Sequence, residues 1–309
     1  MTNFLTLTRM RVQLALRNRM FIFFSVIMPL GFFFLYCGVF AQSVPHKVTY
    51  YLGPILALTV MGSFWGLSAA LVMFREQGIL RRFHVTPVTP SDMLASSIVA
   101  NYVLTLPTIA TELILARFLF HVHDFGNWPA ILTLMTVGTI SFGSLGLVVA
   151  SVTNTMQETQ VINQLLWLPL IFLSGATFPL AYLPVTVQKV GLFLPATYLV
   201  NGLQQAIFHD QSAWRLAIEA LSLGGWAILT FFVSSQLFRW EPESKIPRKA
   251  KLWALATAVP FLFLGVWEIR NDHIIHEAKA SFEEIEHPEV RQIPKSALPS
   301  ENAPSDQNQ

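Results

Sequence analysis

Charge is what this sequence has least of. Only 12% of its 309 residues are charged and 53% are hydrophobic, whereas soluble domains carry about 25% charged residues. With a mean hydropathy of +0.51, an ordinary soluble domain is excluded and the chain falls in the membrane class. Cysteine is nearly absent. Cys37 stands alone inside an apolar run, so neither an internal disulfide nor a cysteine-rich metal site can form. No G-x-x-x-x-G-K-[ST] phosphate loop occurs, and no Gly-Lys dipeptide occurs anywhere. Any nucleotide hydrolysis built on such a loop must therefore come from another polypeptide. The net charge is only +2, and no nucleic-acid partner is expected.

What fills the chain instead is long apolar runs. About 20 apolar residues cross a hydrocarbon core as a helix, and six runs qualify: 21–41, 51–74, 95–120, 129–152, 159–182 and 214–238. A seventh, 252–267, contains Pro260 and spans marginally. The first run resembles a signal peptide near Val39-Phe40-Ala41, but its length and its amphipathic lead favour a retained span. The fold class expected is an all-α, polytopic membrane protein.

The few charges are unevenly placed. Arg9, Arg11, Arg17 and Arg19 precede the first run, and Arg75, Arg81 and Arg82 separate the second from the third. Arg239, Lys245, Arg248, Lys249 and Lys251 follow the sixth, while the alternate loops hold little beyond Lys47 and Lys189. The positive-inside rule makes the N-terminus, 75–94 and the basic linker 239–251 cytoplasmic. Residues 1–20 read as an amphipathic helix lying in the interface. The apolar but Pro-broken stretch 183–213 reads as short re-entrant helices at the outer side, their backbone satisfied by protein. Residues 268–309 are acidic and Pro-rich, a composition that favours disorder after a short helix near 272–286.

The most distinctive segment is Arg75-Glu76-Gln77-Gly78-Ile79-Leu80-Arg81-Arg82-Phe83-His84-Val85-Thr86-Pro87. It reads as a short amphipathic helix with Ile79, Leu80 and Phe83 on one side and Arg75, Arg81 and Arg82 on the other. Thr86-Pro87 and Thr89-Pro90 end it, and Ser91 and Asp92 are N-cap candidates for the third span. A solvated basic loop that only sets topology is the competing reading.

The pattern Glu76-x-Gly78-x-Leu80-Arg81-Arg82-x3-Thr86-Pro87 resembles the cytoplasmic segment of ABC-2 type transporter permeases. Phe172-Leu173-Ser174-Gly175-Ala176-Thr177-Phe178-Pro179 looks like the outer end of that family's fifth span, and Leu194-Pro195-Ala196-Thr197-Tyr198 like its external re-entrant region. The resemblance covers roughly residues 2–238; Ile79 departs from the family's frequent Thr. It implies a six-helix transmembrane domain over 21–238 and an exporter permease moving an apolar or amphipathic substrate: a drug-like molecule, a lipid or a lipid-linked glycan. It also implies a second permease copy or homologue and a separate ATP-binding subunit carrying ATP and Mg, in the plasma (inner) membrane among its lipids. Arg75, Glu76, Gly78, Leu80, Arg81, Arg82, Thr86 and Pro87 would then lie at or near the ATP-binding subunit.

Other residues merit roles of their own. Gly62, Gly66 and Ala70 recur at four-residue spacing, as do Thr139/Gly143 and Gly146/Ala150 in the fourth run, which lets helices approach closely within one subunit or across a dimer. Glu112 is an intramembrane acid, a candidate for the translocation path or for an inter-helix hydrogen bond. Asn163 and Gln164, in a polar run with Gln157, Glu158 and Gln160, are path candidates or a wet helix end. Arg215 and Glu219 are four apart and suit a structural ion pair. His121-x-His123-Asp124 and His273-x2-His276-Glu277 are not expected to bind metal, and no catalytic residue is expected. An intramembrane hydrolase using Ser174 is the rival enzyme reading, but it needs a base within reach. A small secondary transporter would show paired repeats, and none is evident.

Overall fold

The structure is a computed structural model that describes residues 2–17, 23–42, 44–84, 88–240 and 248–286. Among these residues every regular element is helical. In chain order they are α1 (Thr2–Arg17), α2 (Met28–Phe34, continued on both sides by π-helical turns), α3 (Pro45–Glu76), α4 (Ile79–His84) and α5 (Pro90–Phe118). There follow α6 (Trp128–Val152), α7 (Met156–Leu173), α8 (Val185–Gly191), α9 (Pro195–Phe208), α10 (Ala217–Leu237), α11 (Arg248–Ala256), α12 (Val259–Asn271) and α13 (His273–Glu286).

Among the described residues, five stretches are long and apolar enough to cross a membrane: α3, α5, α6, α10 and the composite Leu252–Asn271. The expected second span is longer than its apolar run. Pro45 opens α3 and nothing breaks it before Gln77, giving 32 residues, or about 48 Å at about 1.5 Å per residue. That exceeds a hydrocarbon core of about 30 Å, so its ends project. The expected first span is represented by the shorter apolar helix Ser25–Phe40. The expected fifth span stops early: α7 ends at Leu173, and Gly175 at φ +88° turns the chain toward the short helix Leu180–Tyr182. A left-handed φ is cheap only for glycine, so the Ser174-Gly175 step is the break.

Two helices are central. In α3 and α6, 72% and 67% of the spanning window is buried, against 39% in α5 and α10 and 22% in Leu252–Asn271. Their crossing is tight because Gly146 has no side chain: a Cβ there would lie 2.5 Å from the carbonyl oxygen of Phe64. Gly53 likewise admits α9, since its Cβ would lie 2.7 Å from the backbone nitrogen of Gln204. The core around them includes Phe33, Phe64, Phe142, Tyr198 and Phe261. The peripheral helices expose Phe118, Leu221, Ile228, Phe232 and Phe263, as helices solvated by lipid do.

Every residue of α9 is buried, and α8 has only seven residues. The apolar stretch 183–213 thus forms short helices packed on the bundle rather than spans. The helix expected near 272–286 is α13, and it packs on these elements. Tyr50, Phe208 and Ile285 share one cluster, Phe282 stacks edge-on against Tyr182 with centroids 4.4 Å apart, and the Tyr182 hydroxyl donates to Glu286 at 3.1 Å. Tyr50 lies in the second turn of α3 and Glu76 ends it, so α13 lies at the end of the bundle opposite residues 75–94. Leu252–Asn271, apolar and long enough to span, leads to that end, and residues 273–286 are helical as expected. The remainder of the acidic tail and most of the basic linker lie outside the described residues.

Candidate functional site

At the basic end, four parts of the chain meet at the joint between α6 and α7. The last carbonyls of a helix lack intrahelical partners, and two guanidiniums take them here. Arg75 donates from Nη1 to Ala150 O at 2.9 Å and from Nη2 to Thr153 O at 2.5 Å. Arg239 donates to Thr153 O at 2.8 Å and to the Asn154 side chain at 3.0 Å. Cations at a helix C-terminus also meet the negative end of its dipole. On the other side of the joint, the start of α7 is capped by acids and a hydroxyl. Met156 N donates to Glu76 Oε1 at 2.9 Å, Asn154 N to Glu158 Oε2 at 2.7 Å, and Glu158 N to Thr155 Oγ1 at 3.2 Å. Burial lowers the Arg239 pKa.

Arg75 therefore differs from expectation. It does not share a polar face with Arg81 and Arg82 but is 4% exposed in the last turn of α3. Sequence bias places a cation at this end of the bundle. Its burial follows from the α6 carbonyls, which only the fold brings there. Gln77 caps α3, and Gly78 at φ +68° reverses the chain, the left-handed stop that glycine supplies. The six-residue α4 follows. Leu80 is its anchor, clustered with Leu7 of α1 and Met93 of α5, while Arg81 and Arg82 face outward. α1 is held to this knot by Arg11, which reaches Met93 Sδ at 3.3 Å and lies 5.5 Å from the Phe74 ring centroid. Burial lowers its pKa to about 10, leaving it charged at neutral pH.

Thr86 and Pro87 lie outside the described residues. The N-cap of α5 is Thr89 rather than Ser91 or Asp92. Asp92 N donates to Thr89 Oγ1 at 3.1 Å and Thr89 N to Asp92 Oδ2 at 3.3 Å, a reciprocal capping box in which Asp92 is the third helical residue.

The other candidates are dispersed. Glu112 is fully buried, accepting from Thr59 Oγ1 at 2.7 Å across the α3–α5 contact, with its second oxygen unpartnered. It does not line the apolar groove between α5 and α6, whose walls include Tyr102, Leu106, Trp128 and Leu132. Asn163 is buried against Ser68 of α3 at 2.8 Å, whereas Gln164 is exposed, so the two do not share a face. A Cβ added at Gly62 would meet nothing within 4 Å; Gly66 and Ala70, like Gly62, are partly exposed. The close contact expected of that stripe is made instead by Gly146 and Gly53.

The expected Arg215–Glu219 pair does not form. Arg215 lies in the turn before α10 and is exposed, while Glu219 points inward at 2% exposure. The four-residue rule fails because only Glu219 is within the helix. Arg117 clasps its own loop, donating to Val122 O at 3.2 Å and His123 O at 2.9 Å. The buried Ser174 hydroxyl accepts from Ala176 N at 3.3 Å, and among the described residues no histidine or carboxylate hydrogen-bonds to it.

An all-helical bundle with several membrane-length apolar helices and one basic, internally braced end defines a polytopic membrane protein. The chain belongs to the ABC-2 family of transporter proteins, whose family model matches residues 42–235. It is similar to a putative transport permease of Bacillus subtilis (YvfS), 22% identical over 238 residues that cover 74% of this chain and 94% of that protein. An inner membrane transport permease of Escherichia coli (YhhJ) is 26% identical over 176 residues, 55% of this chain and 45% of that protein. A probable multidrug ABC transporter permease of E. coli (YbhS) is 24% identical over 189 residues, 60% of this chain and 48% of that protein. The chain thus spans about half the length of these two E. coli relatives and nearly all of the B. subtilis one.

Proposed function

We propose that this chain is the membrane subunit of an ATP-driven exporter, paired with a second permease copy or homologue and with ATP-binding subunits that carry ATP and Mg. One observation carries the reading. Arg81 and Arg82 stand exposed on a short helix whose Leu80 is buried among α1 and α5, directly after the long central helix. A push on that exposed basic face passes into α1, α3 and α5 through packed side chains. Through Glu76 and Arg75 it also reaches the α6–α7 joint. Glu76, Gly78, Leu80, Arg81 and Arg82 form the coupling segment in this reading, with Arg75 transmitting rather than touching the partner.

The basic end faces the cytoplasm of a cell whose plasma (inner) membrane holds the protein, a reading supported by the Lys and Arg bias. The partly exposed stripe Gly62, Gly66 and Ala70 on α3, with Gln164 on α7, supports a path at the centre of a dimer. Glu112 and Asn163 support it from behind, by holding α5 and α7 to α3. The cargo is apolar or amphipathic, because the helices offer few charges for a polar solute. A relative described as a multidrug permease supports that class. Co-purification of the complex from its native membrane, followed by a vanadate-sensitive ATPase assay, tests the reading. An ATP-binding subunit in the complex is expected. A chain that purifies alone, with no associated ATPase, overturns it.

A further inference from the structure

We propose that Glu219, His273 and Glu277 form a binding site for a zinc-class divalent cation at the end of the bundle opposite the coupling segment. One ligand atom from each lies within 4.8 Å of the others. His273 and Glu277 occupy successive turns on one face of α13, with Nε2 and Oε1 3.4 Å apart. Glu219, in the first turn of α10, reaches them from the bundle. The set holds one imidazole nitrogen and two carboxylates. That set, with a water completing it, suits zinc; magnesium and calcium favour all-oxygen shells.

An independent feature points to a ligand here. Glu219 is 2% exposed, and its Oε2 has no hydrogen-bond partner. A buried, unpartnered carboxylate oxygen on a residue clustered with a second carboxylate is costly unless something neutralises it, and a bound cation does so for both. Asn201 of α9 donates to Glu277 Oε2 at 2.9 Å, the kind of outer hydrogen bond that orients a ligating carboxylate. The turn that presents His273 is also fixed: Asp272 adopts φ +51°, and Ile274 N donates to the buried Glu268 Oε1 at 2.6 Å. His273 itself is half-exposed, which gives a metal a route in from water.

Two of the three ligands lie beyond residue 235, where the family match ends. The third, Glu219, lies within the match, so the site joins the family's core to the C-terminal helix α13. A cation would fasten α13 to α10, and with it the short helices on which α13 rests.

The full-length protein in nanodiscs, stripped with a chelator and titrated with Zn2+ alone, provides the test. One high-affinity site per chain is expected. His273→Ala and Glu277→Gln should each weaken it by more than about tenfold, since even outer partners of metal ligands are worth about 10- to 100-fold. His276→Ala, on the same helix but outside the cluster, should bind like the parent. Thermal midpoints in chelator confirm that each variant is folded. No binding by the parent, equal binding of Mg2+, or unchanged affinity in both ligand variants would overturn the proposal. Because the readout is metal binding without ATP or a partner, it stands or falls separately from the transport reading.

Discussion

Replacing Arg75 with Ala removes the brace at the α6–α7 joint without touching any exposed surface. The side chain is 4% exposed and makes two charge-assisted bonds, to Ala150 O and Thr153 O. Such bonds contribute about 1.5–3 kcal/mol each, giving about 3–6 kcal/mol for the pair. Two details favour the lower end. Thr153 O keeps its bond from Arg239, and the Arg75 Nε is itself buried without a partner, a cost that the substitution removes. A loss of about 3 kcal/mol corresponds to a fall of about 6–12 °C in thermal midpoint at about 2–4 °C per kcal/mol. Differential scanning fluorimetry of the purified protein reads this directly. Arg81→Ala and Arg82→Ala, at exposed positions, should stay within about 0.5 kcal/mol of the parent. If Arg75→Ala melts with the parent, or if the three substitutions cost the same, the internal-brace reasoning is wrong.

Further substitutions test the packing and the buried polar groups. Gly146→Val forces a side chain against the Phe64 backbone and should cost at least about 1–3 kcal/mol, seen as a lost monodisperse peak on size exclusion. Gly62→Ala meets no atom within 4 Å and should leave that peak intact. Thr59→Val strips Glu112 of its one hydrogen bond and should lower the thermal midpoint by an amount equivalent to about 1–3 kcal/mol. Arg215→Ala should leave the midpoint unchanged, since Arg215 is exposed and apart from Glu219; a clear fall would restore the ion pair.

The helices were legible wherever length and hydropathy alone decide them. The runs 95–120, 129–152 and 214–238 became α5, α6 and α10 with ends shifted by a few residues. Breaks inside apolar runs were harder to read. Ser174-Gly175 ends α7, yet a Ser-Gly step within an apolar run is also compatible with a continuous helix, and only Gly175's left-handed backbone separates the two. Side-chain fates at helix ends were hardest. Charge bias located Arg75 but could not reveal that α6 would offer it two carbonyls. Glu219 looked like a partner for Arg215 because helical spacing was assumed one turn too early. His273 and Glu277 carried a legible four-residue spacing, but their third companion is more than fifty positions away in sequence and only tertiary packing unites them.

The central claim is that the exposed basic face of α4 receives force from a separate ATP-binding subunit. It is tested most directly by reversing that face, Arg81→Glu with Arg82→Glu, in the complete complex reconstituted with its ATP-binding subunit. The account predicts an unchanged thermal midpoint for the membrane subunit, together with loss of assembly or of substrate-stimulated ATPase. Full assembly and undiminished coupled ATPase in the doubly reversed protein would contradict it.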